Sequence, residues 1–171
     1  AWMELLKSSG TDAETVSEMN KDVIRLETIA DRFSKIGSET QLTRSNVFEV
    51  INKITDYLRN RISPKVEFVM PERQDIHAQL NAPLFEWVIE NIIKNAVDAM
   101  EGKGTITFNL TSTESHVQID ITDTGKGIPS RKMKTVFEPG YTTKKRGWGL
   151  GLSLAKRIIE NYHNGKIFVV Y

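Results

Sequence analysis

The sequence contains no cysteine, almost no net charge and no long apolar run. Without cysteine the chain forms neither disulfides nor thiolate metal sites, which fits a reducing compartment. The formal charge of +1 gives no electrostatic argument for nucleic acid as a partner. No apolar stretch approaches the roughly 20 residues that cross a bilayer, and no signal peptide is recognisable. These absences predict a cytoplasmic chain, with any inner-membrane anchor of a parent protein outside this sequence.

Residues 1–40 carry a helical pattern. A capping box, Thr11-Asp-Ala-Glu14, begins a helix that Gly37 ends. Its apolar residues recur in alternating steps of three and four: Val16, Met19, Val23, Leu26, Ala30 and Phe33. Together with a helix tail at residues 1–8, this seam predicts an antiparallel helical hairpin that pairs with a second copy, giving a four-helix homodimer. The alternative is that the hairpin packs on its own globular domain.

Residues 45–171 mix helical and strand patterns. We predict helices at 46–62, capped by Ser45, at 82–101, capped by Asn81, and at 150–163, ended by Asn164-Gly165. Predicted strands lie at 65–70, 76–80, 105–111, 116–122 and 166–171. The hairpin formed by the third and fourth strands excludes an all-parallel sheet. The predicted fold is therefore α+β, a two-layer α/β sandwich with helices on one face of a mixed sheet, preceded by the helical hairpin.

The predicted helix at 82–101 has an unusual polar face. At 3.6 residues per turn, Asn91, Asn95 and Asp98 fall on one side of the helix, opposite its apolar residues. Asparagine is unfavourable in the middle of a helix, because its side chain competes for backbone hydrogen-bond partners. Two asparagines one turn apart, beside an aspartate, indicate either a solvated face or a binding surface.

Two glycine-rich segments follow this helix. Asp123-Thr-Gly-Lys-Gly127 lies where a predicted strand leaves the sheet, so its acid can accept from an exocyclic amine while its glycines admit a flat base. Gly147-Trp-Gly-Leu-Gly-Leu152 leads into a helix start, where free N–H groups favour a phosphate. Between them, residues 137–144 (FEPGYTTK) form a flexible segment, basic at its end, that can close over phosphates as a lid.

Taken in order, these segments resemble the boxes of the GHKL ATPase superfamily, which has the Bergerat fold. Asn91 and Asn95 match the N box, Phe137 the F box, and the two glycine segments the glycine boxes. Within the superfamily, residues 45–171 are similar to the catalytic core of a sensor histidine kinase. Residues 1–40 resemble the end of that family's dimerisation and phosphotransfer hairpin, without its acceptor segment. The family's last sheet strand also has no counterpart here.

The resemblance implies ATP and Mg²⁺ as cofactors. It makes Asn91 and Asn95 the catalytic residues, with Asn95 ligating Mg²⁺ and Asn91 positioning its water shell or a phosphate. It assigns recognition of the adenine amine to Asp123. Relatives often carry a basic residue at the place of Asp98. The remaining positions expected at ATP are Asp98, Gly125, Lys126, Gly127, Ile128, Tyr141, Thr142, Thr143, Lys144, Gly147, Gly149, Leu150, Gly151 and Leu152.

The N box also distinguishes between reactions. In the hydrolytic branch of the superfamily a glutamate activates water, and here Asn91, which cannot act as a general base, holds that place. Phosphoryl transfer needs mainly alignment and charge neutralisation. We therefore expect transfer of the ATP γ-phosphate to a histidine. The alternative is a nucleotide-binding regulatory module of the anti-sigma or pseudokinase type. A hydrolytic conformational ATPase is a third hypothesis.

None of the three histidines fits the phosphate acceptor. His77, His116 and His163 occupy a non-helical stretch, a hairpin tip and a helix end, and we interpret them as structural or surface residues. The acceptor is expected outside this sequence, so the chain should bind ATP·Mg²⁺ without phosphorylating itself. The resemblance to two-component kinases and phosphorelays also implies a response-regulator receiver domain as partner.

Overall fold

The computed structural model describes residues 15–17, 19–20, 23, 41–144 and 148–170. The chain divides into two compact units, Ala1–Thr40 and Gln41–Tyr171. In the first unit the described residues are helical, with Val16 buried and Met19 and Val23 exposed. Leu26, Ala30, Phe33 and the first helix of the hairpin lie outside the described residues. The hairpin and its dimer therefore stay predictions.

The second unit begins with a short strand and alternates helices and strands. Its elements are β1 (Thr43–Asn46), α1 (Val47–Arg59), β2 (Val66–Val69), β3 (His77–Leu80), α2 (Ala82–Ala99), β4 (Gly104–Ser112), β5 (Val117–Asp123) and α3 (Gly151–Arg157). Two 3₁₀ turns, Ser130–Lys132 and Thr135–Phe137, lie between β5 and α3. A π-helical turn, Ile158–Tyr162, continues α3. None of the helices in the described ranges has the length and apolar character that a membrane span requires.

The strands of this unit form two sheets. In the larger one, β4 is central, parallel to β2 and antiparallel to β5. In the smaller one, β1 pairs antiparallel with β3. The mixed sheet with its hairpin confirms the predicted mixed α/β fold. The sequence did not predict β1, because its residues Thr-Arg-Ser-Asn lack the apolar alternation of a half-buried strand.

The core joins the apolar faces of α1, α2 and β4. Its most deeply buried side chains, between 0 and 1 % exposed, include Ile51, Ile93, Ile106 and Phe108. Along β4 the buried residues alternate with more exposed ones, as the period of two requires. On β5, the predicted apolar face of Val117, Ile119 and Ile121 packs against the same core. Because the core covers one face of α2 and one face of β5, only the opposite face of each element and the parts that extend beyond the core can contact solvent or a ligand.

Helix α2 has well-defined ends. The Asn81 side chain accepts a hydrogen bond from the Leu84 N–H at 3.1 Å, which confirms the predicted cap. At the other end, Glu101 and Gly102 take left-handed conformations, with φ of 53° and 76°. The Gly102 N–H donates to the Val97 carbonyl at 2.9 Å. These two residues turn the chain sharply, and β4 begins two residues later.

The start of α1 differs from the prediction by one residue. Ser45 lies in β1 opposite Ala78, and its hydroxyl donates to the Thr43 carbonyl. Asn46 caps the helix instead, accepting from the Glu49 N–H at 3.1 Å. Serine and asparagine cap helices about equally well. Both residues belong to β1, and Asn46, its last residue, directly precedes the helix and so occupies the cap position.

The predicted final strand at 166–171 is wrong. Residues 165–170 are not paired into either sheet, and Tyr171 lies outside the described part. Exposed Phe168 and Val170 alternate with half-buried neighbours, so the side-chain pattern of a strand is present. A strand also requires a neighbour for its backbone hydrogen bonds, and the side-chain pattern does not report one. The predicted left-handed end before it is confirmed, since Asn164 has a φ of 51°.

Candidate functional site

The polar face of α2 is the floor of the candidate site. Asn91 and Asn95 are half-buried and Asp98 is exposed. On the opposite side Ile93 and Ala96 are 0 and 4 % exposed and belong to the core. Because the core fixes the rotation of the helix about its own axis, it also fixes the direction in which the polar face points.

Asn91 faces the start of α3. Its side-chain amide donates to the Trp87 carbonyl one turn earlier at 3.1 Å. A Cβ placed on Gly151 would lie 3.2 Å from the Asn91 Oδ1. The cap residue of α3, Leu150, has no side-chain acceptor for the first N–H groups of the helix. The Asn91 amide oxygen and the backbone N–H groups of the α3 start therefore lie close together, at the Asn91 end of the polar face.

Lys144 reaches the middle of the polar face from the lid. Its ammonium donates to the Asn95 Oδ1 at 2.9 Å and forms a short ion pair with the Asp98 carboxylate. The Thr142 hydroxyl accepts a hydrogen bond from the Lys144 backbone N–H at 3.1 Å, which turns the lid locally. Two oxygens of α2 are thus already gathered around one cation.

Asp123 is the last residue of β5, and its side chain is on the same face of the strand as the apolar residues that pack against the core. It follows Val117, Ile119 and Ile121 at the strand period of two, so it belongs to the face of the sheet that the core covers. It lies beyond the covered part and is exposed. Its Oδ1 accepts from the Gly125 N–H at 2.8 Å, leaving other lone pairs of the carboxylate for a ligand.

The turn after Asp123 is pressed against the C-terminal end of α2. A Cβ on Gly125 would lie 2.8 Å from the backbone carbon and from the Cβ of Ala99. The Lys126 N–H donates to the Ala99 carbonyl at 3.3 Å. The Thr124 hydroxyl accepts from the Thr105 N–H at 3.0 Å. This turn is held by both α2 and β4 and has little freedom to move.

The lid is closed at its base by two glycines. The Gly140 N–H donates to the Gly149 carbonyl at 3.1 Å. Gly149 has a φ of 65°, and a Cβ there would collide with Gly140 and lie 2.6 Å from the Tyr141 carbonyl oxygen. This pair, which we call the glycine clasp, joins the two ends of residues 140–149. Buried Val136 and Phe137 precede it, and the Lys156 ammonium lies 5.9 Å from the Phe137 ring centre.

Tyr141 brings an unusual polar atom into the lid. Its hydroxyl is buried and has no hydrogen-bond partner among the described residues. A buried polar group left without a partner costs about 1–3 kcal/mol. Such a group in a native protein indicates a missing ligand, a water or another conformation of the segment that carries it.

The three contacting segments follow one another along α2. The start of α3 lies at Asn91, the lid lysine at Asn95 and Asp98, and the turn of Asp123 at Ala99. Eight residues at 1.5 Å each separate the first of these positions from the last, about 12 Å of helix. The site is therefore an elongated strip, with an acid-and-glycine turn at one end and a helix start at the other.

Contacts with α2 bring Gly125, Lys126, Lys144 and Gly151 to the strip that carries Asn91, Asn95 and Asp98. Ile128, Leu150 and Leu152 are half-buried, while Gly127 and Thr143 are exposed. Gly147 lies outside the described residues. The sequence interpretation missed Gly140 and Ala99 as site-building residues. A small residue in the last turn of α2 and a glycine within the lid segment were the available signals.

The histidines occupy structural or surface positions, as interpreted from the sequence. His77 lies in β3 with Asp75 at 3.5 Å, and His116 bonds within the β4–β5 hairpin loop. His163 accepts from the Asn81 N–H through Nε2 at 3.0 Å, and its Nδ1 lies 2.9 Å from the Ile158 carbonyl. This pattern defines an Nδ1–H tautomer that ties the end of the π turn to the start of α2.

Two concavities lie away from the strip. One, of about 570 Å³, is lined by residues including Ser63, Lys65 and Lys103. The other, of about 700 Å³, lies between the 3₁₀ turns and residues 167–169. Neither is lined by a predicted nucleotide-site residue. The strip itself is bridged by Lys144.

Comparison with known proteins identifies the family. Residues 81–170 match the family described as histidine kinase-, DNA gyrase B- and HSP90-like ATPase. Sporulation kinase A of Bacillus subtilis (strain 168) is 33 % identical over 126 residues, which cover 72 % of this chain and 21 % of that protein. The chain thus spans about a fifth of the length of this relative.

Solved structures show the same fold. The mycobacterial sensor histidine kinase MprB superposes with a TM-score of 0.68 at 25 % identity, covering 76 % of this chain and 85 % of that one. Histidine kinase ThkA, in complex with the response regulator protein TrrA, superposes with a TM-score of 0.69 at 23 % identity, covering 98 % and 51 %. Each of these three similar proteins is named a kinase. The chain belongs to the histidine kinase-, DNA gyrase B- and HSP90-like ATPase family and is homologous to the catalytic domains of sensor histidine kinases.

Proposed function

We propose that the chain binds ATP with Mg²⁺ along the polar strip of α2 and acts as the catalytic domain of a sensor histidine kinase. In this role it transfers the γ-phosphate to a histidine outside this sequence. The observation that carries the proposal is the order of contacts along α2. One face of α2 contacts three segments in order. These are the turn of Asp123 and Gly125, the lid lysine Lys144 at the oxygens of Asn95 and Asp98, and the uncapped start of α3.

The turn of Asp123 suits the adenine end of the nucleotide. The carboxylate keeps free lone pairs that can accept from an exocyclic amine, while its bond from Gly125 holds it in place. Gly127 has open space around its Cα and a φ of 67°, so a flat base can approach the backbone there. Lys126 is exposed beside the turn, where its side chain can reach the base or ribose.

The middle of the strip suits a magnesium ion bound through few protein ligands. Asn95 Oδ1 already holds a cationic group, the Lys144 ammonium, which stands in for a positive ion. No cluster of three or more histidine, cysteine or acidic side chains fit for a metal exists in the described part of the chain. Mg²⁺ commonly binds with one or two protein oxygens, phosphates and several waters, so this sparse donor set fits it.

The start of α3 suits the phosphates. No side chain caps the first N–H groups of this helix, so they can donate to an anion. The half-buried Leu150 and Leu152 flank the position. Thr142, Thr143 and Lys144 of the lid are exposed, and Lys144 already contacts the strip. Bound ATP·Mg²⁺ would supply the transferable phosphoryl group, which these residues orient and shield from water.

Transfer rather than hydrolysis follows from the chemistry of Asn91. Its amide is bonded to the Trp87 carbonyl and has no basic atom with which to activate water. An aligned acceptor brought in from a dimerisation helix supplies the nucleophile instead. Residues 1–40 are proposed to belong to that hairpin and to form a homodimer, with residues 45–171 as the catalytic domain. The complex of ThkA with a response regulator supports a receiver domain as the next phosphate acceptor.

Nucleotide binding is tested by calorimetry with ADP and Mg²⁺. Asp123→Asn should weaken binding at least about tenfold, because a hydrogen bond to a charged group is worth about 1.5–3 kcal/mol. Asn95→Ala should remove most of the gain in affinity that Mg²⁺ provides. Asp120→Asn on the same strand is the matched control and should bind normally, because the Asp120 carboxylate accepts from the Gln118 side chain. Full affinity in Asp123→Asn would exclude the adenine assignment.

Phosphoryl transfer is tested in a longer chain that includes the acceptor helix. Incubation with γ-labelled ATP should yield an acid-labile, base-stable phosphate, the signature of phosphohistidine. Residues 1–171 alone should remain unlabelled while still binding nucleotide. Rapid release of inorganic phosphate without labelling of the longer chain would instead support the hydrolytic hypothesis.

A further inference from the structure

The contact between the lid and α2 has a chemistry of its own. Lys144 is exposed over 42 % of its side chain and Asp98 over 56 %, yet their charged groups meet directly. The same ammonium donates to the Asn95 Oδ1 at 2.9 Å. These residues lie 46 and 49 positions apart in sequence, so the contact is a tertiary one and not a feature of helix geometry.

We propose that Asp98 is a positioning residue that latches the lid in the nucleotide-free protein, by holding Lys144 in the place of the metal ion. The proposal rests on the proposed function for the identity of the ligand that releases the latch, a divalent cation with a polyphosphate. The latch itself is a property of the free protein, so it can be tested without nucleotide.

Competition for one oxygen is the first argument. Mg²⁺ binds its oxygen ligands at about 2.0–2.1 Å. With the metal on Asn95 Oδ1 and the ammonium 2.9 Å from that atom, the two cations would approach within about 5 Å of each other. At that separation they repel strongly in a partly buried site. Binding of the metal at Asn95 therefore favours departure of Lys144 from this oxygen, and the lid moves with it.

The difference between Asp98 and Asn95 is the second argument. The carboxylate of Asp98 attracts the ammonium as an ion, whereas the amide of Asn95 offers only a neutral acceptor. Asp98 thus sets the strength of the latch, and Asn95 determines what displaces it. Once released, Lys144 is a free cation beside the phosphates, and the polyphosphate becomes its partner.

The buried Tyr141 hydroxyl is the third argument. It lies three residues before Lys144 on the same lid and has no partner within the described part of the chain. A buried hydroxyl without a hydrogen bond favours other conformations of the lid, and in the proposed latch the Lys144 contact opposes them. Release of the latch lets the hydroxyl reach water or a ligand.

The test is hydrogen exchange of the lid amides in nucleotide-free protein. Asp98→Asn and Lys144→Gln should each speed exchange of residues 139–150 about two- to fivefold, the range expected for one partly exposed ion pair. The double variant should be no faster than either single variant, since the same contact is lost. Equal rates in Asp98→Asn and the unaltered protein, or additive effects in the double variant, would overturn the proposal.

Lys53→Gln and Glu86→Gln are the matched controls. This pair also joins a lysine of another element to an acid on α2, at 2.7 Å, but far from the lid. Both controls should leave lid exchange unchanged. If they speed it as much as Asp98→Asn does, the effect is a general loosening of α2 and the latch is refuted.

Charge reversal separates ion pairing from packing. The swapped variant Asp98→Lys with Lys144→Asp should restore slow exchange, although each of its single changes speeds it. Trp148, which directly precedes Gly149 of the glycine clasp and is 45 % exposed, gives an independent signal. Its fluorescence should shift in the single variants and return to that of the unaltered protein in the swapped variant. A swap as fast as the single variants would argue against the latch. Normal latch behaviour without any binding of ADP·Mg²⁺ would refute the proposed function and leave the latch intact.

Discussion

The two ends of the candidate site are built in opposite ways. At the base end, the turn of Asp123 is bonded to α2 and β4 and so tightly packed that Gly125 has no room for a methyl group. At the lid end, residues 142–144 are exposed and contact α2 through the Lys144 side chain. The base end is a fixed surface for recognition, whereas the lid end is a part that can move.

This difference indicates how recognition and closure are divided. A base must be distinguished by the position of a few hydrogen-bonding atoms, so its binding surface benefits from rigidity. Phosphates and a metal must enter and leave, so their cover must open at low free-energy cost. The low-stability parts of a protein are where such motions occur. Substitution of three glycines by alanine measures this difference in rigidity between the base end and the lid end.

The largest effect is expected at the base end. Gly125→Ala places a methyl group 2.8 Å from the backbone of Ala99, which cannot yield without moving α2. Overpacking of this kind costs about 1–3 kcal/mol, and we expect the upper part of that range in the free energy of unfolding. Chemical denaturation measures it. A loss below about 1 kcal/mol would show that the turn is not rigid.

A smaller effect is expected two residues later. Gly127→Ala meets no atom within 4 Å, so its only penalty is the left-handed φ of 67°. That conformation costs a non-glycine residue about 1 kcal/mol, partly offset by the lower entropy of the unfolded chain. This variant is the matched control for Gly125→Ala in the same denaturation experiment. If both variants lose equal stability, backbone conformation and not packing controls the turn.

The smallest effect on global stability is expected at the lid, although the collision there is the most severe. Gly149→Ala cannot keep its contact with Gly140 and breaks the glycine clasp. Since the lid can detach locally, the free energy of unfolding should change by less than about 0.5 kcal/mol. Amide exchange of residues 139–150 should instead rise at least about tenfold. A large global loss with unchanged lid exchange would contradict the contrast.

Local patterns predicted much of the fold, because helices and hairpins follow from the spacing of apolar residues. The spacing around Asn91 and Asn95 placed both on the free face of α2, and the caps at Asn81 and Asn164 were confirmed. The order of the N box, the F box and the glycine boxes along the chain predicted the family and the homology to kinases, and with them the mixed fold. The roles of individual site residues in ATP binding remain predictions.

Contacts between distant segments could not be predicted in this way. β1 exists because it pairs with β3, and residues 165–170 fail as a strand because neither sheet pairs with them. The bond from Lys144 to α2 and the clasp of Gly140 with Gly149 also join separate segments. Sequence spacing shows which face of an element is apolar, but it does not show what lies opposite that face.

The glycine clasp has a consequence for engineering. A loop whose two ends are held together tolerates added length well, since each doubling of its length costs only about 0.6 kcal/mol of closure entropy. Insertion of a short tag after Thr143 should therefore leave the folded core intact. Because Gly140 and Gly149 are joined through their backbones, only these two residues need to be kept to hold the ends of the inserted loop together. The segment between them is a place where this scaffold can be lengthened to carry a probe for nucleotide.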